Sequence, residues 1–450
     1  MIIKGLSGRQ RGKRALLSGL VLACLLTACS EPEEILAGKR ESIRPEQEVV
    51  EGATSAQAAN ESRPISLPAQ SNSATWAQPW GTPAGRVTHA ALNLPLQEIW
   101  STDIGDGDSR RNRIIAEPVV AGGRIFTLDA ESLVTATTTS GETVWKTDII
   151  PARDKSGQAT GGGLSFSDGR LFVASGYGTV VALNAATGQK VWEQRLEGSA
   201  SGTPTVAGGI VYLTAADDRG WALSADEGRQ LWILNAAPDV SNVLGAPAPA
   251  ISNDLAIFAF GSGEVQAVFR RGGLRRWDAS VSGQRLGTAL GNVGDITAAP
   301  VVAGSTVYVG NQSGRTVALE VASGARKWTI GEGAVGRIIP VGNSVFFISD
   351  QNDLLRVSAA DGSTIWKVDL PKFTSERPSR QSSVVSHHGP VLAGGRLHIA
   401  SDDGLIRSYD PTSGALTATV EISGGATSAP VVAGGVLYVV STKGRLHAFR

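Results

Sequence analysis

The 450-residue chain has 41 basic and 41 acidic side chains, 55 glycines, one methionine and ten tryptophans against five tyrosines, a balance that disfavours helical bundles and favours short strands joined by tight turns. The first 28 residues carry Lys4, Arg9, Arg11, Lys13 and Arg14 with no acid, leaving 36 basic against 41 acidic residues in the rest, a net −5; this excludes the basic footprint of a nucleic-acid binder. The only cysteines are Cys24 and Cys29, so the body contains no disulfide and is held by packing.

At the N-terminus a basic stretch precedes the 13-residue apolar run Ala15 to Thr27, the layout of a secretory signal. The run is too short for a bilayer span, which takes about 20 residues. Leu26-Thr27-Ala28-Cys29 closes it and resembles the lipobox of bacterial lipoproteins, in which the cysteine sulfur receives diacylglycerol. This implies a signal peptide over 1–28 and a membrane anchor at Cys29, whose acyl chains supply the membrane affinity. Ser30 in place of Asp after the cysteine implies, by resemblance to the sorting pattern, the outer membrane with the body facing the periplasm.

From Ser30 to Pro95 the chain is rich in Glu, Ala, Ser, Gln and Pro, with isolated hydrophobics and no period. Such composition predicts a flexible tether over 29–95, whose mean reach over some 50 residues is roughly 40 Å.

From residue 96 the chain repeats. Copies end at Trp145, Trp192, Trp232, Trp277, Trp328 and Trp366, spaced by 47, 40, 45, 51 and 38 residues, a length filled by four short strands and their turns. Alternation as in Val307-Tyr308-Val309 marks half-buried strands, and pairs such as Gly122-Gly123 and Gly434-Gly435 mark tight turns. A four-stranded sheet with two apolar faces is covered by stacking it radially between two others, which predicts an all-β, eight-bladed β-propeller over 96–450. A seventh copy carries Ala418 at the Trp position, and an eighth stops at Arg450 before its last strand. The orphan strand around Trp100 supplies that strand and latches the ring. Prolines 118, 204, 249, 300, 340, 390 and 430 recur just before the first strand of each blade, where a missing N–H costs least. The Gly-x-x-x-Trp endings make Trp100, Trp145, Trp192, Trp232, Trp277, Trp328 and Trp366 inter-blade fasteners and not an active site.

The pattern Ala182 to Trp192, with its altered copy Ala318 to Trp328, resembles the tryptophan-docking repeat of pyrroloquinoline-quinone propellers. Within that superfamily, lipobox, tether and eight blades without further domains resemble the BamB family of outer-membrane assembly lipoproteins, and the string Val345 to Asp353 is similar to that family's sixth blade. The resemblance implies a non-enzymatic periplasmic scaffold that binds the POTRA domains of the barrel subunit BamA beside other assembly subunits. Unfolded outer-membrane proteins are further candidate partners, through strand addition at blade edges. Two loops carry that family's BamA contacts. One aligns with Ser241 to Gly245, making Val243, Leu244 and Gly245 contact candidates, with Leu244 where the family has Arg. The other aligns with Asp295, Ile296 and Thr297, where Thr297 replaces a second acid. A guanidinium can fork onto a carboxylate and Leu cannot.

The main rival reading is a quinone- and Ca²⁺-dependent dehydrogenase, and a third is another periplasmic binding propeller, for glycans or regulation. The dehydrogenase's vicinal cysteine pair has no counterpart after Cys29, and Asp350, Asp353, Asp402 and Asp403 form no converging set for an ion that takes six to eight oxygens. His387 and His388 are adjacent and point to opposite faces of a strand. No nucleophile elbow, P-loop or Cys-x-x-Cys is present. Neither a catalytic residue, a metal site nor a cofactor is expected.

Overall fold

The alternating segments pair into eight four-stranded antiparallel sheets, each built from consecutive strands except the last. The computed structural model describes residues 60–79, 81–83, 89–238, 245–281, 293–375, 377, 381 and 383–450; Cys29, Val243 and Leu244 lie outside them. Residues 58–450 form one unit. Blades 1 to 7 span residues 119–148, 162–195, 205–235, 250–280, 301–330, 339–369 and 387–421, and blade 8 joins residues 431–449 to Glu98–Asp103. The two middle strands of each blade are buried almost throughout, as in Leu133–Thr138 and Arg124–Leu128, whereas outer strands such as Thr143–Asp148 alternate between exposed and half-buried. This is the pattern of sheets sandwiched between neighbours and open only at the rim. Among the described residues no helix is long and apolar enough to cross a membrane.

The ring closes as expected from the orphan strand. Trp100 pairs with Ala448, Ser101 with His447 and Asp103 with Arg445. Reciprocal backbone bonds of 3.0 and 2.9 Å join Gln97 and Arg450, and Glu98 Oε1 meets His447 Nδ1 at 3.0 Å across the seam.

Each Trp reaches the next blade. The indole N–H groups of Trp100, Trp145, Trp192, Trp232, Trp277, Trp328 and Trp366 donate to the carbonyls of Thr139, Ala185, Ala225, Arg270, Val321, Ala359 and Pro411 at 2.7–3.3 Å. The ring of each lies flat against a glycine in the turn before the neighbour's outer strand: a Cβ on Gly188 would come within 2.7 Å of the Trp145 ring, and one on Gly228 within 2.5 Å of Trp192. The φ of +73° at Gly188 adds a second reason for glycine. Blade 8 has no such turn, because its outer strand, Glu98–Asp103, is not continuous with its third strand, Arg445–Phe449, and the residue that would dock on it is Ala418. Every outer strand also carries a register shift at the residue before its Trp or Ala418, which twists the edge and discourages edge-to-edge pairing.

Two expectations change. Pro340 and Pro390 lie inside inner strands Ile339–Val341 and His387–Ala393 rather than before them, tolerated because that edge faces the channel. The larger correction concerns 29–95: from Asn60 on, its described residues form a strap along the ring. Glu61 N–H bonds Ile365 O at the rim of blade 6, and Ile65 and Leu67 pack between blades 6 and 7. The buried Arg356 guanidinium donates to the carbonyls of Arg63 and Pro64. The strap then meets inner-strand edges in turn: Ser73 O with Gly434 N, Trp76 in a two-bond bridge with Val120, Ala77 O with Phe166 N, Pro83 O with Ile251 N, and last Ala90 with Leu392 and Gly394. The Gln78 amide imitates a strand by bonding both N and O of Val206 at 2.9 and 2.8 Å. Backbone pairing, which composition does not register, orders this stretch.

Trp366→Ala, at a fully buried ring, is expected to lower unfolding free energy by about 3–5 kcal/mol in urea titrations. Gly188→Ala should cost more than Gly169→Ala, because both have φ near +75° but only Gly188 faces a ring; equal losses would show that the turn glycine is no seat. His398 is fully buried between Ser408 and the Ala393 carbonyl, and burial lowers it from its ordinary 6.5 to about 4. The unfolded chain therefore takes up this proton first. The contribution is complete above pH 6.5 and falls by about 3 kcal/mol on the way to pH 4; His398→Gln should flatten that part of the stability profile.

Candidate functional site

The two sequence-nominated loops connect blade 3 to 4 and blade 4 to 5, on the face opposite the strap. Gly245, at φ +96°, and Thr297 both line the mouth of the central channel. Thr297 Oγ1 accepts from Gln312 Nε2 at 2.7 Å and donates to Val335 O. Asp295 and Ile296 are 5% and 0% exposed, respectively; Ile296 packs with Val281 and Val307, and the Asp295 carbonyl accepts from Gln312 N–H. The structure thus brings Gly245 and Thr297 together on one cavity wall and takes the other two into the blade 4–5 interface. Sequence alignment of an Asp-x-Asp-like string could not show that its first two residues point inward.

The channel holds a cavity of about 310 Å³, lined by apolar residues such as Ile115, Pro118 and Val335 and by Pro79 of the strap. Arg337, 2% exposed, crosses it: Nη2 bonds Glu117 Oε2 at 2.6 Å, Nη1 bonds Pro430 O at 2.8 Å, and the guanidinium sits 5.0 Å over the Trp76 ring. This buried ion pair fixes blades 1, 6 and 8 to the strap; removing one partner would strand the other. Burial lowers His388, on the same wall, to about 4, so it stays neutral at physiological pH. His387 lines the cavity beside it, its ring bonded to Ser401 Oγ and the Pro371 carbonyl. Nothing in the sequence marked Arg337 beyond a lone cation ahead of an inner strand, and nothing marked Trp76 beyond an aromatic in a polar stretch.

The quinone and Ca²⁺ of the dehydrogenase reading do not fit these residues. Among the described residues the one carboxylate on the cavity wall, Glu117, is committed to Arg337. Among the described residues no three His, Cys, Asp or Glu side chains converge. Asp353 is buried against Lys367 at 2.7 Å, burial raising its carboxyl; Asp403 pairs with Arg407, Asp402 caps Ser386 N–H and Asp350 caps Gly333 N–H.

A family model described as outer membrane protein assembly factor BamB matches residues 130–368 and 354–450. The chain belongs to the BamB family. It is 28% identical to the BamB of Yersinia pestis over 361 residues, covering 78% of this chain and 88% of that one, and 25% identical to that of Escherichia coli K12 over 357 residues, covering 78% and 87%. In fold it is similar to the crystal structure of BamB from Moraxella catarrhalis, with a TM-score of 0.66 at 16% identity, covering 79% of this chain and all of that one. It is nearly as similar to quinohemoprotein alcohol dehydrogenase from Comamonas testosteroni, with a TM-score of 0.64 at 14% identity over 84% of this chain and 81% of that one. The ring is therefore shared with enzymes, while the sequence matches are to assembly factors. BamB relatives place this family in outer-membrane protein assembly.

Limited proteolysis tests the strap. Trp76→Ala with Gln78→Ala should speed cleavage between residues 60 and 95 at least tenfold while leaving the blades resistant, since local opening tracks local contacts. Unchanged cleavage would show that these two residues do not hold it.

Proposed function

We propose that this chain is a non-enzymatic scaffold of the β-barrel assembly machinery, held at the periplasmic face of the outer membrane through Cys29 and docking a POTRA domain of BamA on the face where Gly245 and Thr297 line the channel mouth. Family membership carries the reading, and the lipobox-like Leu26 to Cys29 supports the location. The loop face suits a docking role because its connections rise from a rigid ring, so little order has to be created on binding. Asp295 and Ile296 act from beneath, fixing the loop that presents Thr297. An interface of about 1,200–2,000 Å² is expected. Leu244, in place of an arginine of the family pattern, shifts the contact toward apolar and backbone interactions. Capture of unfolded outer-membrane proteins belongs to the same proposal, at rim edges where the register shifts leave room for short strand addition only.

Tagged protein should co-purify with BamA. Leu244→Glu with Thr297→Arg should weaken that capture at least tenfold without lowering thermal stability. Retained capture would move the dock elsewhere, and no capture by the unaltered protein would remove the scaffold reading.

A further inference from the structure

The turn between the third and outer strands follows one pattern around the ring. In blade 2 it is Asn184-Ala185-Ala186-Thr187-Gly188-Gln189-Lys190, and the Asn184 carboxamide caps the N–H groups of Ala186 and Thr187 at 2.9 and 3.1 Å. Blades 3, 6 and 7 place Ser224, Ser358 and Asp410 at the first position and acids or hydroxyls within the turn. Blade 4 keeps the backbone and replaces the chemistry: its turn reads Phe269-Arg270-Arg271-Gly272-Gly273-Leu274-Arg275, followed by Arg276. The backbone bond from Phe269 N–H to Leu274 O, at 2.9 Å, matches that from Asn184 N–H to Gln189 O at 2.8 Å.

The substitution discards a cap and exposes two large apolar side chains, Phe269 at 41% and Leu274 at 70%. The bond between them places both side chains at one hairpin mouth. Arg270 mounts the turn rigidly, donating to Tyr212 Oη, Asn253 O and Ala207 O at 3.3, 3.0 and 2.9 Å, while Trp232 Nε1 bonds its carbonyl at 3.0 Å. Arg271, Arg275 and Arg276 are exposed around the apolar pair. Blade 5 extends the charge with exposed Arg326 and Lys327 at the matching outer-strand positions, and Arg276 Nε reaches the blade 5 turn at Ala322 O, 3.3 Å. The facing acids are fewer: Asp278, 3.6 Å from Arg275; Glu320, 2.8 Å from Lys327; and Asp254 beside Arg270. No other blade combines exposed aromatic and aliphatic side chains with arginines in this turn.

Single exposed hydrophobics are ordinary. Two on a rigid projection, ringed by guanidinium groups, match an interface that is anionic at its surface and apolar a few ångströms beneath. We propose that the rim of blades 4 and 5 is a docking surface for an anionic phospholipid membrane, with Phe269 and Leu274 entering the headgroup layer and Arg271, Arg275, Arg276, Arg326 and Lys327 meeting phosphates. This contact is separate from the channel-mouth face and does not depend on BamA binding.

A fluorescent amino acid in place of Gly272, where a side chain meets open space, reports depth without touching the apolar pair. The full-length protein is mixed with phosphatidylcholine vesicles containing a lipid-borne quencher, with or without one-third phosphatidylglycerol. Quenching is expected only with phosphatidylglycerol, is lost in 1 M salt, and is absent for the same probe at exposed Ala152 on the opposite face. Each cation near such a surface contributes about fivefold in affinity, so R271E/R275E/R276E should weaken binding at least a hundredfold, and L274S, which keeps every charge, several-fold. No quenching at position 272, or equal quenching on neutral vesicles, would overturn the proposal. So would loss of a protein partner on charge reversal without any lipid signal, which would make the rim a dock for an acidic protein.

Discussion

Everything in this ring depends on the seating of an indole on a glycine of the next blade. A lone four-stranded sheet with two apolar faces has nowhere to put them; the Trp–Gly contact sets the angle and spacing at which the next sheet covers the first. The N–H of each ring finds a carbonyl across the gap, so a bulky side chain is buried without an orphaned donor. Repeated around the circle, that contact converts a one-dimensional repeat into a closed body. The exception at Ala418 follows the same rule, since blade 8 takes its outer strand, Glu98–Asp103, from a distant part of the chain and has no turn there to seat a ring.

A ring of this kind is chemically neutral ground, used by assembly factors and quinone enzymes alike. In this chain the channel is occupied by its own side chains. Its cation and its carboxylate satisfy one another across the bore, and a tryptophan and a proline from outside the repeats fill the floor. These contacts tie the blades to the strap, and the loops and rim present further surfaces for recognition.

Blade number, closure and the fasteners were legible because a structural period of some 44 residues writes itself into the sequence through Trp and Gly. The candidate site was legible only in outline. A loop can be located by alignment with a proline ahead of a strand, but whether Asp295 faces solvent depends on how two blades meet, which no local pattern encodes. The strap was misread for a different reason. Its few apolar residues, Ile65, Leu67 and Trp76, are too sparse to signal a core, and most of its contacts are backbone bonds to strand edges, to which side-chain composition is blind. The blade 4 turn lay in plain view as Phe269 to Arg276, yet it stands out only when each turn is superimposed on its equivalents.

The strap also sets how force would travel through the molecule. Asn60 grips both the N–H and the carbonyl of Lys367 on the outer strand of blade 6, at 2.9 Å each, and the chain beyond it is pinned to blades 8, 1, 2, 3 and 4 and then, through Ala90, to blade 7. Tension arriving from the residues before Asn60 would be shared among those pins in sequence, and not delivered to the single seam where Glu98–Asp103 meets Arg445–Phe449. A protein tugged from its N-terminus would yield first along a peelable girdle, with its circle still shut.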